Sequence, residues 1–138
     1  MSAEANKTLA KRWFEEVWNQ HRESAIDELF HPQGKVHGFP EPDSLLVGPE
    51  AFKAVYRQFT TTFSNIHIAL DDLIAEEDRV AVRWTCTMDH TGDAPGFPAT
   101  GRKSTLLGSS FVTFRDARLF EGWNFTDLTK MRLQLQRS

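Results

Sequence analysis

The sequence has one cysteine, Cys86, and one tyrosine in 138 residues. A single thiol excludes an intramolecular disulfide framework and any zinc site built on several cysteines. No apolar run approaches the roughly 18 residues of a membrane-spanning helix. The opening residues, Met1 to Lys7, lack the apolar centre of a secretory signal. A cytoplasmic protein with no membrane partner is the expectation. Basic charge is also scarce: 16 Lys and Arg stand against 19 Asp and Glu, for a formal net charge of −3. The basic residues are scattered, so no nucleic-acid partner is expected. The histidines lack His-x-x-x-His spacing, and Asp71 and Asp72 would point to opposite faces of a strand, so no metal is expected. No glycine-rich loop feeds a helix within a βαβ unit, which removes the usual phosphate cradle.

Aromatics are plentiful instead: eleven Phe and four Trp within a chain that is 40% hydrophobic and 25% charged. That is globular composition, and the length suits one domain over residues 1–138. So much aromatic area fills a core, lines a cavity or forms a subunit interface.

Leu9, Trp13 and Val17, beside Ala10, Phe14 and Trp18, make an apolar stripe at helical spacing over about Asn6–Trp18. A short second helix places Ala25, Ile26, Leu29 and Phe30 on one face and stops at His31-Pro32. Residues 32–48 are dense in Gly and Pro and read as loop, with a short strand at Lys35–His37. Pro49 opens a third helix, whose apolar face carries Phe52, Val55, Tyr56, Phe59 and Phe63. The period then switches to two. Strands are expected at Ile66–Leu70, Val80–Met88, Arg102–Arg115 and Leu119–Leu128, with a loop at His90–Gly101. The tail Thr129–Ser138 is open between strand and helix. Helices followed by an antiparallel meander give an α+β fold.

The words Phe14-Glu-Glu-Val-Trp18-Asn19, Gly48-Pro-Glu-Ala-Phe52, Phe63-Ser-Asn-Ile-His67 and Glu76-Glu-Asp-Arg-Val80-Ala-Val-Arg-Trp84 appear in that order. They are followed by His90-Thr-Gly92, Phe97-Pro-Ala-Thr-Gly101-Arg102 and Glu121-Gly-Trp123-Asn124. Together they resemble the SnoaL-like polyketide cyclase family of the nuclear transport factor 2-like superfamily. The resemblance implies a cone-shaped barrel, in which N-terminal helices pack in a curved antiparallel sheet around an apolar pocket. It implies a homodimer through the outer sheet face. It also implies cofactor-free aldol ring closure, with one acidic residue as general acid and base. The same superfamily holds isomerases, dehydratases and proteins without catalysis, so fold alone leaves the reaction open.

The family's Glu-His-Trp-Asp pattern falls on Glu121, Gly122, Trp123 and Asn124. An amide cannot exchange a proton as a carboxylate does, but Asn124 can donate a hydrogen bond to a carbonyl or enolate. Asp127 is the nearest carboxylate, on the opposite face by strict alternation. His90 ends the Val82–Met88 alternation at the edge of a loop and is a candidate base. The catalytic candidates are therefore Asn124, Asp127 and His90. Small residues on neighbouring strands, Gly108, Ser110 and Gly122, are expected to border the cavity with Asn124. Trp18, His37, Trp84 and Met88 are assigned to its wall, and Phe111, Trp123 and Phe125 to the outer face. Cys86, between apolar neighbours, reads as core.

Three functions compete. The first is a cofactor-free cyclase or isomerase acting on an apolar carbonyl compound such as a polyketide. The second is a non-catalytic binding protein for an apolar metabolite. The third is a dimeric interaction module whose pocket is filled by its own aromatics.

Overall fold

The computed structural model describes residues 2–93 and 98–136. Part of the expected His90–Gly101 loop, residues 94–97, and the last two residues of the tail lie outside the described residues.

Helix α1 spans Ala3–Arg12, with Ser2 Oγ accepting from the Ala5 N–H as its N-cap. It continues as a π-helical segment over Trp13–Asn19. The wider turn buries Trp13, Phe14, Val17 and Trp18 together. Helix α2 covers Ser24–Leu29 and α3 covers Pro49–Thr62, the latter with proline in its first turn. Strand β1, Phe30–His37, is longer than the expected Lys35–His37. Its register shifts between Phe30 and Lys35, so Pro32 and Gly34 sit where ladder bonding is interrupted. A three-residue strand β2, Leu45–Val47, was not foreseen in the Gly/Pro segment. Strands β3 (Phe63–Glu76), β4 (Arg79–His90), β5 (Lys103–Arg115) and β6 (Arg118–Thr126) form the meander. The tail resolves as helix α4, Leu128–Gln136.

The α+β class stands, but the expected cone-shaped barrel with an antiparallel sheet does not. The six strands run β2-β1-β6-β5-β4-β3 in an open sheet that is neither closed nor strongly curled. Closure would require the two edge strands to pair. Instead α3 packs against β1, β2 and β3, so a helix spans the opening. The sheet is also mixed, because β1 runs parallel to β6.

Two asparagines fix the N-terminal helix to the sheet. Asn6 is buried and donates through Nδ2 to the Glu77 carbonyl at the β3–β4 turn, 2.9 Å away. Asn19 accepts from the Ile68 N–H at 2.7 Å and donates to the Ile68 carbonyl at 3.0 Å. It thereby occupies backbone groups on the free edge of β3.

Candidate functional site

The helices cover one face of the sheet. Val82, Trp84, Cys86, Met88 and His90 alternate along the buried side of β4, as their period of two requires. Between that face and the helix layer lies a cavity of about 90 Å³. Trp13, Phe14 and Trp18 reach it from the π-helical segment, and Phe52 and Phe59 from α3. Trp18 stands edge-on to Phe39, Phe52, Tyr56 and Phe59, with ring centroids 5.0–6.3 Å apart. The rest of the wall includes Ile66, Ile68, Leu106, Val112 and Leu119, with Ser110, Gly122, Asn124 and Thr126 from β5 and β6.

The polar groups in this wall form a directional chain. Trp84 Nε1–H donates to Ser110 Oγ at 3.0 Å, and indole nitrogen can only donate. The Ser110 hydroxyl therefore sends its own proton onward, to Asn124 Oδ1 at 2.6 Å. That contact fixes the orientation of the Asn124 amide. Its Nδ2 faces the His37 carbonyl oxygen at 3.4 Å, a long bond that uses one of two protons. The outcome is an amide donor presented within an apolar enclosure. Cys86 is the one titratable side chain in the described wall, and burial pushes its thiol up to about 12. At neutral pH that wall holds no group able to take a proton.

The structure sorts the sequence-derived candidates as follows. Trp18, Trp84, Ser110, Gly122 and Asn124 line the cavity. Gly108 shares their face but not their place, since its missing side chain makes room for the Trp84 indole, which a Cβ there would overlap. Met88 is fully buried beneath the wall rather than in it. His37 lies on the other face of the sheet: it stacks on Trp123, with planes 5° apart, and its Nε2 is 2.7 Å from Glu121 Oε2. Only its carbonyl meets the site. Asp127 is exposed and lies beyond the end of β6. Its carboxylate accepts the Lys130 N–H at 3.1 Å, which makes it the N-cap of α4. His90 is buried outside the cavity wall, against Phe63. Its Nδ1 accepts the Thr100 N–H at 3.2 Å, which puts the ring proton on Nε2, and it lies 3.0 Å from Thr100 Oγ1. His90 thus ties the returning end of its loop to β4.

Phe39, at the centre of the aromatic cluster, is absent from the sequence-derived set. It sits in the Gly/Pro segment, where alternation gives no face. An aromatic residue between Gly38 and Pro40 is the only signal the sequence offers. Among the described residues no group of His, Cys, Asp and Glu could hold a metal ion.

The sequence profile described as SnoaL-like polyketide cyclase matches residues 8–135. Among solved structures, TsrD from Streptomyces laurentii is 24% identical, with a TM-score of 0.85 over 99% of this chain and 98% of that one. A proposed polyketide cyclase from Acidithiobacillus ferrooxidans is 27% identical, with a TM-score of 0.82 over 99% and 98%. A protein from Catenulispora acidiphila with a ketosteroid isomerase-like fold, solved with trimethylamine, is 12% identical, with a TM-score of 0.78 over 94% and 93%. No functionally curated protein matches the sequence.

Proposed function

The chain belongs to the SnoaL-like polyketide cyclase family, and on that premise we propose that its cavity binds an apolar carbonyl compound, the Asn124 amide donating to the ligand oxygen. The observation that carries this reading is the oriented chain from Trp84 through Ser110 to Asn124. It orients an amide donor within a wall that is mostly hydrocarbon. A ligand lacking an acceptor would leave that donor desolvated and unpaired, which is the larger penalty.

Side-chain acid–base catalysis draws no support from the site. By the sequence resemblance Asn124 takes the position of the family's aspartate, Cys86 is held protonated, and Asp127 and His90 lie outside the cavity wall. Binding without turnover is therefore the reading the geometry favours. A second reading survives on the same donor: an amide aimed at a carbonyl oxygen also stabilises the enolate, provided water or the ligand itself moves the proton.

The test compares 2-pentanone with 2-methyl-1-pentene, which replaces the oxygen by CH₂. The parent protein should prefer the ketone by about threefold to tenfold, the value of one net hydrogen bond. Asn124→Leu should erase that preference while keeping the hydrocarbon's affinity. Equal preference in both proteins would defeat the proposal. Product analysis of bound ketones separates binding from turnover.

We also propose that two copies pair through the outer sheet face. Phe111 and Phe125 are 53% and 60% exposed there, and Leu107 lies beside them. Exposed aromatic clusters of this kind mark association surfaces.

A further inference from the structure

The cavity is small for the class of ligand assigned to it. Benzene fits an apolar cavity of about 150 Å³, and this one measures about 90 Å³. A ligand of so few atoms makes few contacts, and its affinity is limited accordingly. A second space adjoins it. Between α3 and α4 runs a groove of about 900 Å³. Pro40, Phe59 and Leu128 line both the cavity and the groove, so one layer of side chains separates them.

We infer that cavity and groove are two compartments of one site: the cavity takes the carbonyl end of a linear ligand, and the groove takes its alkyl chain. This inference rests on the ketone-binding reading above. Beyond the shared layer Val55, Phe63, Met131 and Leu135 give the groove an apolar strip, and Thr61, Thr62, His90 and Asp93 form a polar margin. Its two arginines are already engaged, Arg57 with Glu23 and Arg132 with Glu41. Neither calls for an anion on the ligand, so an uncharged chain is the better fit. A fused-ring compound cannot join the two compartments: it exceeds the cavity, and it is too wide to extend from the groove between three side chains. The ligand class is thus a straight-chain ketone or aldehyde of medium length.

The experiment titrates the intact protein with 2-butanone, 2-heptanone, 2-undecanone and 1-tetralone. Affinity is read by calorimetry, and occupancy of the groove by ¹³C-methyl methionine NMR. Affinity should rise about fourfold for each added methylene that the groove buries. The Met131 methyl signal should move with the two longer ketones and stay still with 2-butanone. Tetralone should bind no tighter than 2-butanone. Leu128→Trp, which narrows the passage, should bring 2-undecanone down to the affinity of 2-butanone. The Met131 signal in the parent protein gives the same answer if that variant folds poorly. Asn124-dependent binding of 2-butanone with no gain for longer chains would overturn the two-compartment site and leave ketone binding standing. Tighter binding of tetralone than of 2-undecanone would do the same. Failure of every ketone to bind, or binding indifferent to Asn124→Leu, would overturn both.

Discussion

Asn124 owes its role to its neighbours. Ser110 must donate to one of its atoms, and the other faces a backbone carbonyl oxygen, that of His37. An amide satisfies both demands. An ionised carboxylate satisfies only the first, because its second oxygen would confront the His37 carbonyl in an apolar enclosure. Asn124→Asp should therefore carry a carboxyl whose pKa is raised above the ordinary aspartate range. The native state of that variant then binds more protons than the unfolded state. Its stability relative to the parent should fall as pH rises from the unfolded value toward the raised one, then level off. A ¹³C titration of the variant, labelled at the introduced carboxyl, checks the shift, and an ordinary pKa would refute this account of the site. Sequence alternation alone placed Ser110, Gly122 and Asn124 on one face, and they line the cavity together. It could not show that the Trp84 indole fills the space over Gly108, because cross-strand register decides that contact. His37 was drawn to the pocket by resemblance, although Val36, its neighbour in β1, is the residue that points inward.

At the scale of elements, regular periods were legible and interruptions were not. Strand β1 hid behind Pro32 and Gly34, which read as loop unless a register shift is allowed for. Helix α4 was ambiguous because its buried residues, Met131 and Leu135, flank an exposed Leu133. The ambiguity hid the role of Asp127, which belongs to the helix rather than the strand. Asp127→Ala should cost about 0.5–2 kcal/mol, the loss of an N-cap, and leave ketone affinity unchanged. A loss of affinity without a loss of stability would return Asp127 to the site. On the helical layer, Glu16 bonds Arg12 at 2.6 Å and also contacts Arg22. The hydrogen bond from Arg12, then the charge of both arginines, holds the Glu16 carboxyl below its ordinary 4.5. A depressed pKa stabilises the fold above the unfolded value, and the contribution is lost as pH falls through the folded one. Glu16→Gln should therefore be less stable than the parent at neutral pH, with the difference beginning to shrink near 4.5 and lost as pH falls through the depressed folded value. Chemical denaturation of both proteins across the acid range measures it, and a difference that does not shrink as pH falls would point to lost packing instead.

For the whole molecule, the open sheet poses a problem that a closed barrel does not: it has two edges and an outer face. The edges are poor places for a second copy. Strand β2 is only three residues long, and β3 is broken by two register shifts, with Asn19 bonded to its edge at Ile68. Such devices discourage edge-to-edge pairing. The outer face is different. Phe111 and Phe125 touch edge-to-face at 6.3 Å, and Trp123 lies opposite Phe111 in the β5–β6 register. Association of this chain should therefore run face to face. The double variant Phe111→Asp, Phe125→Asp places two carboxylates in each copy where the faces would meet. Both side chains are exposed in one chain, so each copy should keep its fold and its ketone affinity. Sedimentation should show the parent as a dimer and the variant as a monomer. The parent's melting temperature should rise with protein concentration, as mass action requires of a dimer that dissociates on unfolding, and the variant's should not. A parent that sediments as a monomer at high concentration, or a variant that remains dimeric, would show that the aromatic face serves another purpose.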